Sequence, residues 1–131
     1  MFKDNRVFSS FSVDDLGAAR DFYGGKLGLD VITEQEGLAI KLAGGADLFI
    51  YPKKDHQPAT FTLLNFKVSN IDEAVDELIS AGISLETFGG DIQTDAKGIF
   101  RGKEMNLGPN IAWFRDPAGN FLSVVESSHI S

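Results

Sequence analysis

Acid–base and nucleophilic chemistry have few places to reside in this chain. Two histidines occur, His56 in "YPKKDHQPAT" and His129 near the C-terminus. Cysteine is absent, which excludes disulfides, thiolate chemistry and cysteine-held zinc. Ser9, Ser10 and Ser12 fall in a strand-like run, and no G-x-S-x-G elbow surrounds any of them. "AGGAD" (Ala43 to Asp47) is glycine-rich, but no helix start follows it to cradle a phosphate, so it reads as a turn. His56 is either a solvated loop histidine or a loop ligand, and His129 falls on a tail. Glu126 is either a general base at a site rim or an exposed strand-end carboxylate.

The segment "DIQTDAKGIFRGKEMNLGPN" (Asp91 to Asn110) is too long for a minimal connection. It reads either as a lid or as a surface excursion that contacts a second copy. In it, Arg101 and Lys97 are suited to an anionic group, with Met105 as an adaptable apolar contact.

Composition narrows the classes further. The chain has 131 residues, 43% of them hydrophobic, and 11 phenylalanines, enough to bury one domain's core. Nineteen acidic against 12 basic residues give a net charge of −7. That argues against nucleic acid, which requires clustered Lys and Arg. No apolar run approaches the roughly 20 residues that span a bilayer, so no membrane is expected. The start, "MFKDNRVFSS", lacks a basic region followed by a long apolar one, so no secretory signal is expected and the cytoplasm is the expected location.

The elements that position these residues come as a pair. "FSVDDLGAARDFY" (Phe11 to Tyr23) overlays "FKVSNIDEAVDEL" (Phe66 to Leu78), matching Phe11 with Phe66, Val13 with Val68, Leu16 with Ile71, Ala19 with Ala74 and Asp21 with Asp76. Each copy is a strand running into an amphipathic helix. In the second, Ile71, Ala74, Val75, Leu78 and Ile79 share one helical face. Asn70 with Glu73 reads as a capping box, and Gly82 ends the helix. In the first, Gly24-Gly25 places a break near the last turn. Strands "LDVITE", "GLAIKLA" and "DLFIYP" follow the first helix. A weak "SLETF", the long loop and a hairpin, "IAWFRDPAGNFLSVVE", follow the second. In that hairpin Pro117 fixes a turn φ and Gly119 takes a positive one. The architecture is α+β, βαβββ repeated, with module one at about 1–57 and module two at about 58–131 of a single domain.

These stretches resemble the vicinal oxygen chelate superfamily, which includes glyoxalase I, extradiol dioxygenases and bleomycin-resistance proteins. The resemblance rests on "FSVDDLGAARDFYGGKLGLDV", "LNFKVSNIDEAVDELISAGISLE" and "IAWFRDPAGNFLSVVE". It implies paired βαβββ modules whose mixed sheets curl into a cup with helices outside, and a homodimer. Enzymes of this kind place a divalent metal in the cup, with ligands from the first and last strands of each module. The matching positions here are Phe8, Leu63, Ser123 and either Leu48 or Phe49. Phenylalanine and leucine offer no lone pair, and serine is a weak neutral ligand where imidazole and carboxylate are wanted. No metal and no cofactor is therefore expected.

Strand alternation then sorts the faces. Phe8, Ser10 and Ser12 point into the cup, as do Phe61, Leu63, Asn65 and Lys67, and Phe121, Ser123 and Val125. That lining is either an apolar small-molecule pocket with a few polar groups or a closed core. Trp113 either stacks on a ligand or fills space. The expected ligand-binding set is Phe8, Ser10, Phe61, Leu63, Asn65, Arg101, Trp113, Phe121 and Ser123. The leading expectation is a metal-free protein that holds a small apolar or aromatic molecule, drug sequestration being one version. The alternatives are a glyoxalase-like lyase or isomerase, or a dioxygenase-type enzyme, with a non-standard or metal-free site using Glu126, Lys67 or Arg101, and an interaction module that dimerises through its sheet.

Overall fold

The computed structural model describes residues 1–127. The chain divides into two compact units, Met1–Pro58 and the residues from Ala59 onward. Module one runs β1 (Phe8–Val13), α1 (Leu16–Arg20), a π-helical continuation (Asp21–Lys26), β2 (Asp30–Thr33), β3 (Leu38–Lys41) and β4 (Asp47–Pro52). Module two runs β5 (Thr62–Val68), α2 (Ile71–Ser80), β6 (Ile99–Arg101), β7 (Asn110–Arg115) and β8 (Phe121–Glu126). The sheets have equivalent orders, β1-β4-β3-β2 and β5-β8-β7-β6. In each, the first and last strands pair in parallel and the rest antiparallel. The fold is thus α+β, a βαβββ unit built twice, as the internal repeat predicts.

Both helices begin on a side-chain cap, because their first N–H groups have no intrahelical partner. Asp15 accepts from the Ala18 N–H at 3.0 Å, and Asn70 accepts from the Glu73 N–H at 3.1 Å. Helix α2 buries Ile71, Val75 and Leu78 on the face that packs against β7 and β8. Ile79, expected on that stripe, is exposed instead. The chain turns back at Gly82 (φ 82°), and the buried Ile83, whose N–H bonds the Leu78 carbonyl, lies just past the helix end.

The break expected at Gly24-Gly25 is a widening rather than an end. The Leu27 N–H reaches five residues back to the Phe22 carbonyl at 2.9 Å, so the last turns are π-helical. Neighbouring Phe22 and Tyr23 are both buried there, in an edge-on contact of 5.0 Å between ring centres. Tyr23 also meets Phe11 of β1 at 6.1 Å.

The strand expected at "SLETF" is not formed. Leu85 alone makes one bridge, to Phe114, and the second strand of the module is β6, inside what reads as loop. The physical reason is that the outer edge of β7 is shared: Leu85 faces Phe114, and Ile99 faces Ala112. Gly98 (φ 86°) lets the chain press on Leu85, since a Cβ there would lie 2.7 Å from the Leu85 Cβ.

The hairpin joining β7 to β8 is the expected one. Gly119 adopts φ 86° and its N–H bonds the Asp116 carbonyl at 3.0 Å. Asp116 and Asn120 are buried, with the Asn120 amide donating to the Asp116 carboxylate at 3.0 Å. Asn120 Oδ1 also accepts from the Ala59 N–H at 3.2 Å, tying the start of the module to its last turn.

Candidate ligand-binding site

Pairing registers fix which side chains share the sheet face turned away from the helix, here called the open face. In module two one rung of that face is Asn65, Ser123 and Trp113, from β5, β8 and β7. The next rung is Thr62, Phe121 and Arg115. Between Thr62 and Leu64 the register slips by one, so Leu63 is an unpaired bulge residue. Strict alternation would place Leu63 on the open face beside Asn65. The bulge gives Phe121 Thr62 as its partner instead.

Above these rungs lies a cavity of about 480 Å³. It is lined by Thr62, Trp113 and Phe121 of the sheet, by Thr60 and Phe61 just before β5, and by Phe88, Gly89, Asp91 and Ile92 from the connection after α2. The rings form a cluster. Trp113 meets Phe88 edge-on at 5.5 Å and Phe100 of β6 at 6.4 Å. Phe61 is 67% exposed and Phe88 39% exposed. At the end of the second rung, the Arg115 guanidinium lies 4.4 Å over the Phe121 ring and pairs with Glu86 at 3.1 Å. Those contacts engage Arg115 beside Phe121, outside the cavity lining.

On the Trp113 rung sits one polar pair. Ser123 is fully buried, and its hydroxyl donates to Asn65 Oδ1 at 2.5 Å. Asn65 itself is exposed.

Arg101 and Lys97 are engaged elsewhere. Because β6 places Arg101 on the same side as the core residue Ile99, its side chain meets α2 and not the open face. It grips Asp72 at 2.9 and 3.1 Å and Asp95 at 3.0 Å. Lys97 pairs with Asp72 and Asp76, each at 3.1 Å. The Arg101 hydrogen bonds, followed by that of Lys97, hold the Asp72 carboxyl well below the usual carboxylate range. Burial opposes ionisation of Asp95, yet the Ile99 and Lys97 N–H groups and the Arg101 guanidinium outweigh it and lower its pKa. Hydrogen bonds to Asp76 and Asp72 raise that of Lys97.

Glu126 is also committed. It stands opposite Val68 in the register, on the helix face, where Oε2 accepts from the Ile71 N–H and Oε1 from the Asn110 amide, both at 3.0 Å. It thus caps the start of α2, where a carboxylate also suits the helix dipole. Lys67 lies on the open face opposite Val125 and is exposed.

In module one, Phe8 and Ser10 share the open face with Asp47 and Phe49, their register partners on β4. Ser123 of β8 answers to Phe49 and not to the buried Leu48, which turns to the core. Phe8 borders a cavity of about 380 Å³ that also touches Phe49, Glu34 and Glu36. Ser12 bonds His56 Nδ1 at 2.7 Å, which places that histidine against the sheet. His129 lies outside the described residues.

A family model described as the glyoxalase/bleomycin resistance protein/dioxygenase superfamily matches residues 7–124. The chain belongs to that superfamily. A comparison with curated proteins finds no match. Among solved structures, a glyoxalase family protein from Enterococcus faecalis is 27% identical, with a TM-score of 0.63, covering 96% of this chain and 100% of that one. TnmS3, an antibiotic binding protein from Streptomyces sp. CB03234, is 20% identical with a TM-score of 0.65, covering 95% and 98%. The fosfomycin resistance protein FosX from Listeria monocytogenes is 13% identical with a TM-score of 0.68, covering 95% and 94%. At those last two identities the likeness is one of fold.

The superfamily's divalent metal does not fit the residues that stand at its positions. Phe8, Phe49, Leu63 (or Thr62, which takes its rung) and Ser123 supply no imidazole and no carboxylate. Among the described residues no three His, Asp or Glu side chains cluster to hold an ion. No helix among them is long and apolar enough to cross a membrane.

Proposed function

We propose that this superfamily member binds a small, largely apolar or aromatic molecule in the module two cavity, without a metal. The observation that carries the reading is the cavity of about 480 Å³ walled by Trp113, Phe121, Phe61 and Phe88. Its size and apolar lining with a few polar groups are those of small-molecule sites. Partly exposed rings keep water-facing apolar area that a planar guest would cover, at about 25 cal/mol per Å². The side chains at the metal positions support a binding role over metal-assisted turnover. Asp91 in the lining and the net charge of −7 favour a neutral or cationic guest, and antibiotic sequestration is one version of this role. The Phe8, Ser10 face of module one, where Phe8 borders its own cavity, is proposed as a separate ligand surface that does not take this guest. The protein is proposed to act as a cytoplasmic homodimer, both modules serving one domain.

Isothermal titration against a panel of bicyclic aromatics tests this, with Trp113, the sole tryptophan, as a built-in reporter. Saturable binding that perturbs the Trp113 signal is expected. Folded protein that binds none of the panel refutes the cavity reading. Mass spectrometry of protein purified without chelators tests the rest, since near-stoichiometric retained metal would overturn the metal-free assignment.

A further inference from the structure

The Ser123–Asn65 pair stands one rung from Thr62 and Phe121, outside the cavity lining itself, and has a hydrogen-bond logic of its own. Ser123 is fully buried, and its hydroxyl proton needs an acceptor, because a buried unpaired donor is costly. Among the described residues its partner is the Asn65 side chain, at 2.5 Å. A primary amide can present either its oxygen or its nitrogen to a hydroxyl. Here the buried proton decides: Asn65 Oδ1 must face Ser123, so Nδ2 faces away.

Asn65 is exposed, and Nδ2 has no partner among the described residues. Its two N–H groups therefore project from the open face with their orientation fixed from below. Their place is one strand from Trp113's neighbour Ser123 and one rung from Thr62 and Phe121, which line the cavity. Successive rungs on one face are separated by roughly 7 Å, about the length of a fused bicyclic ring. A planar guest against Trp113 and Phe121 reaches the amide with its far edge.

We infer that Asn65 is a specificity residue that donates to a neutral hydrogen-bond acceptor, a ring nitrogen or a carbonyl, on an aromatic guest, and that Ser123 is the positioning residue that presets it. This rests on the cavity reading above. On it, the serine at a position that carries a metal ligand in the superfamily's enzymes has a task of its own, to hold an amide in one of its two orientations.

The test uses quinoline and naphthalene, which share a shape and differ in one acceptor, with the intact chain followed by ¹H–¹⁵N correlation spectra. Quinoline is expected to bind about fivefold more tightly, the ratio that one net neutral hydrogen bond supplies. It should move both the Trp113 indole and the Asn65 side-chain amide signals, whereas naphthalene should move the indole signal alone. Asn65→Leu should equalise the two affinities while naphthalene binding persists. Ser123→Ala, which removes a buried hydroxyl without leaving a buried group unpaired, should narrow the ratio by freeing the amide to turn. Equal affinities in the unsubstituted protein with a still Asn65 amide would refute the donor role and leave the cavity reading intact. Indole and amide signals that respond to neither compound would overturn both.

Discussion

Modules one and two wind four strands in equivalent order, with a capped helix after the first strand of each, yet their open faces differ in kind. Module two gathers Trp113, Phe121, Phe61, Phe88 and Phe100, with one polar pair on the Trp113 rung. Module one sets Phe8 and Phe49 among Glu34, Glu36 and the Lys41–Asp47 ion pair. The difference arises in the connections. Between its helix and its second strand module one spends only Leu27 to Leu29, closed by a bond from the Leu29 N–H to the Tyr23 carbonyl at 2.9 Å. Module two departs from its helix through a long excursion that supplies Phe88 and Ile92, folds a strand of its own, and is pinned to α2 by Arg101 and Lys97. The duplicated scaffold holds the sheets, while the unequal connection completes the proposed site.

The largest expected effect tests whether the shared core is equally critical in both modules. Phe114→Ala, at a fully buried core position of β7, should cost about 3–5 kcal/mol in urea unfolding. Ile50→Ala, at a fully buried position of β4, should cost about 2–5 kcal/mol. A loss under 1 kcal/mol at either site would show that the two cores are not built alike. Next come the caps. Asp15→Ala and Asn70→Ala should each remove about 1 kcal/mol, measured the same way. A null result at Asp15 alone would mean that the short, π-extended helix of module one does not depend on its first turn.

Binding should separate the modules more sharply than stability does. Phe121→Ala should weaken naphthalene binding about threefold to tenfold, the scale of one aromatic contact, whereas Phe8→Ala should leave it unchanged. Comparable losses from both would abolish the assignment of this guest to module two.

The smallest effect concerns acid. Asp72 and Asp95 have pKa values lowered in the folded chain, so the stabilisation they give is complete above the ordinary carboxylate value of 3.8 and erodes as pH falls below it. Protease cleavage within residues 91–98 should therefore accelerate below about pH 4, while the β2–β3 turn of module one should show no such dependence. Asp72→Asn should raise cleavage at neutral pH and flatten its acid response. A variant with the unsubstituted profile would show that the ion cluster does not anchor the excursion.

Much of this was legible in the chain. The Phe11/Phe66 and Val13/Val68 correspondences, the Asn70 cap and the turn at Gly119 follow from residue type and spacing, and the unsuitability of Phe8 and Ser123 as metal ligands follows from residue type once the family resemblance marks their positions. Local backbone preference and side-chain donor chemistry depend on near neighbours in sequence, so the sequence alone determined them. Tertiary structure decided what depends on pairing. The slip between Thr62 and Leu64 handed a place on the open face from Leu63 to Thr62, and no local signal marks a bulge. The edge of β7 chose Ile99–Arg101 over "SLETF" as its partner. The parity of that strand then turned Arg101 to the acids of α2, and the register of β8 sent Glu126 to cap a helix. Register is a property of two strands together: a shift of one residue reverses a side chain's face, and no single strand carries that information by itself.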